Sequence, residues 1–493
     1  MERKFFLNLL LLLFLNLLIK PFWFFGIEVG VQNAVGESAY GLYFILLNLT
    51  LVLNILLDIG ITNYNNKNIA QHRFLLPKHL GNIISIRIFL GILYALIVYT
   101  IAFFLNWESD KLFLLSILIF NQFLSSFILY LRSNLSALHL FKTDSLISVL
   151  DRTLMIIIVG ALLWGNLTKE AFKIEWFAYA QSFSYIITFI ITLIAVLNKS
   201  GRIKIHFDWK FFIAFFKQSY PYALLILLMA FYNRFDSIMI DILLPQKQMG
   251  VIEELTGHFQ AGIYAQAFRI LDVSSQFGYL FAALLLPIFS RMIKDKVNIS
   301  NILQLSYTLI IVPAIIISIS VSIFSDDIIQ LLYKTGSIYS SNILSILILG
   351  FIAIATTYIF GSLLTANGSL KQLNIMASIG ILINLTLNLL LIPKWNAQGA
   401  AYASFITQSL TAIAQILIAQ KIFKLRINYP IILKLIVLIV FTFISASFFK
   451  TQITNPWIAF VSNILLAMSF AFIFKLLSIK DLFYIVKNSK VKN

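Results

Sequence analysis

The sequence predicts an all-α polytopic membrane protein with about 14 transmembrane helices, built as two related six-helix lobes followed by two further helices. Of its 493 residues, 60% are hydrophobic and only 12% are charged, and the mean hydropathy is +0.92. Soluble globular domains carry roughly 25% charged residues. The composition therefore excludes a soluble protein, and the long apolar runs and an internal repeat supply the rest of the prediction.

Each predicted helix is an apolar run close to the length needed to cross a bilayer, about 20 residues. The first run continues into Lys20-Pro21-Phe22-Trp23 with no small-residue cleavage site, so we expect a retained helix and not a signal peptide. In order, the predicted spans are Phe5–Gly26, Tyr40–Ile61, Ile83–Leu105, Leu112–Leu131, Leu146–Trp164, Trp176–Leu197, Phe211–Tyr232, Tyr264–Phe289, Ile302–Phe324, Ile343–Leu364, Leu373–Ile392, Ala400–Ala419, Ile431–Phe449 and Trp457–Leu477.

Two short patterns occur twice, in the same order and six spans apart. Gly41-Leu42-Tyr43 returns as Gly262-Ile263-Tyr264, and Leu135-Ser136-Ala137 before Lys142 returns as Leu364-Thr365-Ala366 before Lys371. The agreement indicates two related halves with the same orientation in the membrane. The predicted units are residues 1–205 as an N-lobe of spans one to six, 206–425 as a C-lobe of spans seven to twelve, and 426–493 as spans thirteen and fourteen with a basic tail.

Basic residues are concentrated in the short loops on the side that holds the N-terminus, which places both termini in the cytoplasm. The formal net charge is +17 and the pI is about 9.7. These charges are scattered over short loops, so we expect anionic lipid headgroups and not nucleic acid as their partner, above all at the tail Lys475–Lys492. The absence of cysteine excludes disulfides and thiol chemistry.

The loops leave no room for a soluble catalytic or nucleotide-binding domain. The longest connection runs from about Asn233 to Gly262, and no Gly-x-x-x-x-Gly-Lys-Ser/Thr loop is present. The five histidines have no metal-binding spacing, so no metal is expected. We therefore expect no cofactor, and transport driven by an ion gradient, the membrane potential or the gradient of the substrate, with Na⁺ and H⁺ as candidate coupling ions.

Several short motifs follow one another along the chain. They are Gly36-Glu37-Ser38-Ala39-Tyr40-Gly41-Leu42-Tyr43, Leu57-Asp58-Ile59-Gly60, Ser219-Tyr220-Pro221, Arg234-Phe235-Asp236-Ser237-Ile238-Met239-Ile240, Ala261-Gly262-Ile263-Tyr264, Asn384-x-x-x-Asn388 with Ile392-Pro393, and Gln398-Gly399-Ala400-Ala401. In this order they resemble the signatures of the bacterial polysaccharide flippases of the Wzx type. This family belongs to the superfamily of MATE antiporters, lipid II flippases and oligosaccharidyl-lipid exporters. Fourteen helices are typical of the flippase branches, whereas MATE proteins generally have twelve.

The resemblance implies a V-shaped pair of lobes in the bacterial cytoplasmic (inner) membrane. It implies translocation of undecaprenyl-diphosphate-linked oligosaccharide repeat units by alternating access, for a surface polysaccharide such as O-antigen, capsule or exopolysaccharide. Membrane lipids and polysaccharide assembly proteins are the further expected partners, and a monomer suffices. Physical chemistry agrees, because a sugar diphosphate crossing hydrocarbon without a protein cavity would lose its hydrogen bonds.

Charged residues inside the predicted spans are the candidates for this task, since each would be costly if it faced lipid. Arginine binds phosphate oxygens with two parallel donors. Each candidate also has a structural alternative, namely snorkelling to the interface, capping a helix end or closing an internal ion pair. The predicted diphosphate-binding set is Lys20, Arg87, Arg152, Arg234 and Arg269, and Asp58, Asp236 and Asp272 are predicted to couple ions or to form structural pairs.

Two other functions stay open. A MATE-type antiporter for organic cations would need an acidic cavity, and Glu28 is expected beyond the outer end of the first span. A polytopic glycosyltransferase, polymerase or ligase acting on the same lipid carrier would need paired carboxylates or an Asp-x-Asp motif on an outer loop. Only Glu28 and Glu37 could serve there, so we expect a transporter and not an enzyme.

Overall fold

The computed structural model describes residues 18–62, 65–66, 69, 72, 74, 76–138, 140–165, 170–200, 206–246, 250–425 and 428–477. The part of the predicted first span before Leu18, and the basic tail after Leu477, lie outside these residues. The described helices are α1 (Leu18–Val52), α2 (Leu76–Phe104), α3 (Ser109–Ala137), α4 (Phe141–Trp164), α5 (Ile174–Ser200), α6 (Trp209–Arg234), α7 (Asp236–Leu243), α8 (Gly257–Lys294), α9 (Ser300–Ile323), α10 (Ser325–Leu332), α11 (Ile338–Leu347), α12 (Gly350–Ala366), α13 (Leu370–Phe423), α14 (Tyr429–Gln452) and α15 (Pro456–Ile473).

This architecture confirms the predicted all-α membrane fold. Within the described ranges, ten helices are long and apolar enough to cross a membrane, or up to eleven if the bent pair Trp209–Lys217 and Ser219–Arg234 forms one span. The predicted number of 14 is not confirmed by this count. One reason is that two helical segments each cover a pair of predicted spans.

The two long segments are interrupted by residues with non-helical backbone angles. α13 has 54 residues, which corresponds to about 80 Å, more than twice a hydrocarbon core of about 30 Å. Asn396 breaks α13 at φ 50° and ψ −133°, between the predicted eleventh and twelfth spans. Gly36 breaks α1 at φ 80° and ψ 173°, a conformation that glycine adopts without steric penalty. Glu28 therefore lies within helix α1 and not in the predicted outer loop.

The chain divides into two compact units, Met1–Gly262 and Ile263–Asn493. In the first unit, α3 packs against α1 and α5, and α4 packs against α5. In the second unit, α12 packs against α13, and α9 packs against α12 and α14. The last two helices are joined to α9 by a buried polar chain, in which Ser445 Oγ donates to Asn463 Oδ1 (2.6 Å) and Asn463 Nδ2 donates to Ser320 Oγ (2.8 Å).

The glycines of the first repeated pattern meet in the first unit, where the backbone of α1 lies against the first turns of α8. A Cβ atom on Gly41 would lie 1.8 Å from the carbonyl oxygen of His258, and one on Gly262 would lie 2.1 Å from that of Glu37. Gln32 Nε2 also donates to the carbonyl oxygen of Gly262 at 2.9 Å. The repeated glycines are therefore explained by one backbone contact that any larger residue would force apart.

A buried carboxylate connects three elements of the same unit. Asp241 of α7 is 3% exposed; its carboxylate lies 3.7 Å from Lys111 Nζ of α3 and 3.2 Å from His258 Nε2 of α8. Gln246 Nε2 donates to its Oδ1 at 3.2 Å. Burial raises the pKa of Asp241, but the contact with His258 and the charge of Lys111 outweigh burial and hold this pKa below its ordinary value.

We expect Gly41→Ala to destabilise the protein by about 1–3 kcal/mol or more, because its methyl group would overlap the His258 carbonyl. Gly350→Ala is the matched control, since a Cβ atom there meets nothing within 4 Å. That change should be neutral or stabilise α12 by up to about 1 kcal/mol through helix propensity. Thermal unfolding in detergent checks both, and equal unfolding temperatures for the two variants would contradict the contact.

The stabilisation supplied by Asp241 should depend on pH. Because its pKa is lowered in the folded state, this contribution is present at neutral pH and is lost as the pH falls through the folded pKa, below the ordinary value of about 3.9. Asp241→Asn should lower the unfolding temperature at pH 7. Between pH 6 and pH 3, the unfolding temperature of this variant should fall less than that of wild type. Parallel pH profiles for variant and wild type would show that Asp241 makes no such contribution.

Candidate functional site

The site begins at a change of helix type in α1. Pro21 precedes a π-helical turn, Phe22–Glu28, whose wider geometry is frequent at functional sites. Proline lacks a backbone N–H, so it removes one hydrogen bond of the regular helix. The turn buries Trp23 to 2% exposure, and the indole Nε1 donates to Glu28 Oε1 at 2.9 Å. Lys20 lies just before this turn and is half-buried.

The structure brings together two of the predicted cations, Lys20 and Arg152. The guanidinium of Arg152, from α4, lies 5.0 Å from the centre of the Trp23 ring, and its Nε lies 3.8 Å from the Asp151 carboxylate. Lys20 is close enough to Arg152 and Asp151 for their charges to interact. Among the described residues, no carboxylate lies within ion-pair distance of Lys20. We call Lys20, Trp23, Glu28, Asp151 and Arg152 the Lys20–Arg152 cluster.

Aromatic and amide side chains from α1 and α5 support the cluster. Trp23 stacks on Phe177 with ring centres 5.8 Å apart, and Tyr43 meets Phe177 edge-on at 5.3 Å. Gln181 Nε2 donates to the Tyr43 hydroxyl at 2.7 Å. The charge of Arg152 also interacts with Tyr185, Glu28 and Tyr43. The Arg152 side chain is still 32% exposed, so this packing leaves about a third of it accessible.

Arg87 and Asp58 form a different, closed arrangement. Arg87 is 2% exposed and pairs with the Asp58 carboxylate, and its guanidinium lies 4.7 Å from the centre of the Tyr130 ring. Its Nη1 donates to the carbonyl and hydroxyl oxygens of Ser126 at 3.0 and 3.1 Å, and its Nη2 donates to Thr62 Oγ1 at 2.7 Å. None of these partners belongs to the Lys20–Arg152 cluster. The geometry favours the structural alternative for this pair.

Arg234 and Asp236 lie at the junction of α6 and α7. Arg234 Nη1 donates to Asn48 Oδ1 of α1 at 3.2 Å, and Asn48 Nδ2 donates to Ser237 Oγ at 3.0 Å. Asp236 is 1% exposed. These contacts join α1 to the start of α7, which fits the alternative in which Arg234 and Asp236 fix the end of the seventh span.

Arg269 and Asp272 lie on α8, in the second unit. Arg269 is 5% exposed and its Nη1 donates to the hydroxyl of Tyr333, which follows α10, at 2.9 Å. Asp272 is partly buried. The sequence analysis did not find Tyr333, because no local pattern connects residues of separate helices. A substrate role for Arg269 stays a prediction.

The comparisons with known proteins agree on one architecture. A family model described as "Polysaccharide biosynthesis protein" matches residues 8–293, more than half of the chain. A comparison with curated protein sequences gives no match. The structure is similar to the lipid II flippase MurJ in an inward closed conformation, with a TM-score of 0.66 and 16% identity over 95% of this chain and 100% of that one.

Multidrug transporters have a similar fold. An inward-facing MATE family transporter of the MOP superfamily gives a TM-score of 0.63 at 12% identity, over 81% of this chain and 94% of that one. A MOP superfamily transporter from Pyrococcus furiosus, whose binding pocket is described as having reverse polarity, gives a TM-score of 0.57 at 12% identity, over 85% of this chain and 94% of that one. At these identities, the similarities establish the fold.

We expect Asp58→Asn to destabilise the protein by about 3 kcal/mol, because it leaves the buried charge of Arg87 without its counter-ion. Asp295→Asn is the matched control: Asp295 pairs with Arg291 where both side chains are more than half exposed, so its loss should cost less than about 1 kcal/mol. Thermal unfolding of both variants checks this. Unchanged stability of Asp58→Asn together with lost transport would instead favour the predicted role in ion coupling.

Proposed function

Because the chain belongs to the polysaccharide biosynthesis protein family, we propose that it is a flippase for undecaprenyl-diphosphate-linked oligosaccharide repeat units. The chain is a transporter and not an enzyme. Translocation proceeds by alternating access of the proposed lobes, residues 1–205 and 206–425, with 426–493 as an appendage. Both termini are cytoplasmic in the bacterial inner membrane. The product serves assembly of a surface polysaccharide, alongside other assembly proteins, and the working unit is a monomer.

The observation that carries this proposal is the Lys20–Arg152 cluster. Two cations on separate helices, α1 and α4, lie near each other in a span region where an isolated charge is costly. Trp23 contacts the Arg152 guanidinium through a cation–π interaction, and Nη1 donates to the sulfur of Met155 at 3.7 Å, a weak acceptor that phosphate oxygens could replace. A diphosphate bridging Arg152 and Lys20 would satisfy both charges, while the polyprenyl tail stays in lipid.

The carboxylates of the cluster balance its charge when no headgroup is bound. Asp151 lies 3.8 Å from Arg152, and Glu28 accepts the Trp23 hydrogen bond. A diphosphate would compete with Asp151 for Arg152, since like charges repel each other at short range. Uptake of H⁺ or Na⁺ by a carboxylate would relieve this repulsion, which makes Asp151 and Glu28 the candidates for ion coupling beside the predicted Asp58, Asp236 and Asp272.

The same carboxylates favour one second candidate, a cation antiporter of the MATE type. The sequence analysis expected Glu28 outside the membrane, but the structure places it in α1, next to Trp23 and within electrostatic range of Arg152. An acidic group at this position suits an organic cation. The charge of the transported substrate, negative for the flippase and positive for the antiporter, therefore discriminates between the two functions.

A reconstituted translocation assay tests the proposal. Purified protein in liposomes is supplied with a lipid-diphosphate-linked oligosaccharide, and delivery to the opposite leaflet is measured for wild type, Lys20→Ala and Arg152→Ala. A hydrogen bond to a charged group contributes about 1.5–3 kcal/mol, so each loss should slow translocation about tenfold or more. Lys173→Ala is the control, because Lys173 is 57% exposed in a loop and pairs only with Glu170 among the described residues.

The outcomes separate the readings. Loss of translocation in both cluster variants, with normal folding and an active Lys173→Ala protein, supports a cationic headgroup site. Wild-type protein that moves no lipid-linked sugar but exchanges an organic cation for Na⁺ or H⁺ would overturn the flippase proposal in favour of the antiporter. If wild type and both cluster variants translocate the lipid equally well, the flippase function stands, but the headgroup does not bind at the Lys20–Arg152 cluster.

A further inference from the structure

A polar cavity of about 710 Å³ lies in the second unit, and none of its lining residues is one discussed above as a substrate site. Three helical regions enclose it: the end of α8 with the turn that follows, the first turns of α9, and the neighbouring ends of α14 and α15. Its polar wall includes Asn298, Asn301 and Thr308, and its apolar wall includes Met292 and Leu305. A cavity with both kinds of wall suits an amphiphilic molecule.

The charged groups of the cavity are two lysines from different helices. Lys434 lies in the second turn of α14 and is half-buried, and Lys475 follows α15 and is exposed. Within the described ranges, neither ammonium group lies within ion-pair distance of a carboxylate. Two lysines that line one cavity with no carboxylate counter-ion among the described residues favour an anion as its occupant.

Backbone structure fixes both sides of this cavity. After α15, the N–H groups of Lys475 and Leu476 donate to the carbonyl oxygens of Phe472 and Ala471, each at 3.0 Å, and Leu476 is buried. At the start of α9, the Ser300 N–H donates to Asn298 Oδ1 at 2.9 Å, and the amides that follow it in the first turn add donors of partial positive charge. Asn428 Nδ2 donates to Gln304 Oε1 at 3.0 Å and ties the start of α14 to α9. The two lysines are therefore carried by backbone segments that hydrogen bonds hold in place.

We propose that this cavity binds the phosphate headgroup of an anionic membrane phospholipid, with Lys434 and Lys475 as the phosphate ligands. Such lipids have the required chemistry, a phosphodiester with acyl chains that can lie along Leu305 and Met292. The chain's own terminal sequence is an unsuitable occupant, because it carries Lys480, Lys487, Lys490 and Lys492 and would add like charge. The site is independent of the transported cargo and acts as a lipid anchor.

Lipid retention tests this proposal. Wild-type protein is incorporated into bilayers of phosphatidylcholine with phosphatidylglycerol, extracted with detergent, and analysed for retained phosphatidylglycerol by native mass spectrometry. Each lysine near an anionic lipid surface contributes about fivefold in affinity, the factor that corresponds to about 1 kcal/mol. Lys434→Gln and Lys475→Gly should each reduce retention by about this factor, and the double variant by more.

The chain offers a matched control for Lys475→Gly. Lys475 and Lys424 both follow a helix end in the left-handed conformation, at φ 53° and 51°, where glycine is ordinarily preferred. Both Gly variants therefore remove one charge and one unfavourable backbone conformation, but Lys424 does not line the cavity. Lys424→Gly should retain phosphatidylglycerol as wild type does, and neither Gly variant should unfold at a lower temperature.

A second arm separates a lipid from a soluble anion. Inorganic phosphate at millimolar concentration should not raise the unfolding temperature of delipidated wild type, whereas phosphatidylglycerol should raise it and the cavity variants should lose that rise. An equal effect of phosphate and lipid would overturn the proposal in favour of a soluble phosphate ligand. Equal lipid retention by the cavity variants and Lys424→Gly would show that scattered surface charge, and not this cavity, holds the lipid.

Discussion

The energetic penalty for an uncompensated charge inside a membrane protein governs which residues of this chain can do what. The structure meets that constraint in two ways. Arg87 is buried against Asp58, Ser126 and Thr62, so its charge is neutralised and most of its donors are used. Arg152 is held by an aromatic ring and a more distant carboxylate, and it stays 32% exposed. The first arrangement stabilises the fold and leaves few hydrogen-bond donors for a ligand. The second holds the arginine in place with few strong hydrogen bonds, so its donors could bind a ligand.

The helices that carry these groups are positioned by backbone contact as much as by side chains. At Gly41 and Gly262 the main chains approach so closely that no Cβ atom fits on either residue. Apolar side chains pack about as well against lipid as against protein, so close backbone approach is a main source of helix association in membranes. Tyr43, two residues after Gly41, reaches Phe177 and Gln181 beside Trp23. The repeated Gly-x-Tyr pattern thus links helix packing directly to the wall of the Lys20–Arg152 cluster.

The sequence predicted these features unequally. Composition and apolar run length established the membrane class. Spans predicted separately are joined in single helical segments, and the breaks at Gly36 and Asn396 mark where one predicted span gives way to the next. Candidate charges were found because any charge in an apolar run is conspicuous. Their partners were not, since Trp23 and Tyr333 lie outside the helices of Arg152 and Arg269 and are ordinary residues in an aromatic-rich sequence. The π-helical turn at Phe22–Glu28 changes which side chains share a face, and the helix continues past Gly26, where the first predicted span ended, so Glu28 lies within it.

The position of Glu28 within α1 adds a second carboxylate, besides Asp151, to the Lys20–Arg152 cluster. With Lys20 and Arg152 alone, a bound diphosphate would be held with no means of release. With Asp151 beside it, Arg152 has an internal alternative to the headgroup, so binding of a diphosphate would exchange one ion pair of Arg152 for another. For Arg152, such an exchange would have a small net free energy, because its charge is compensated in both states. A transporter needs such a balance, since a site that binds its headgroup on one side of the membrane must also let it leave on the other.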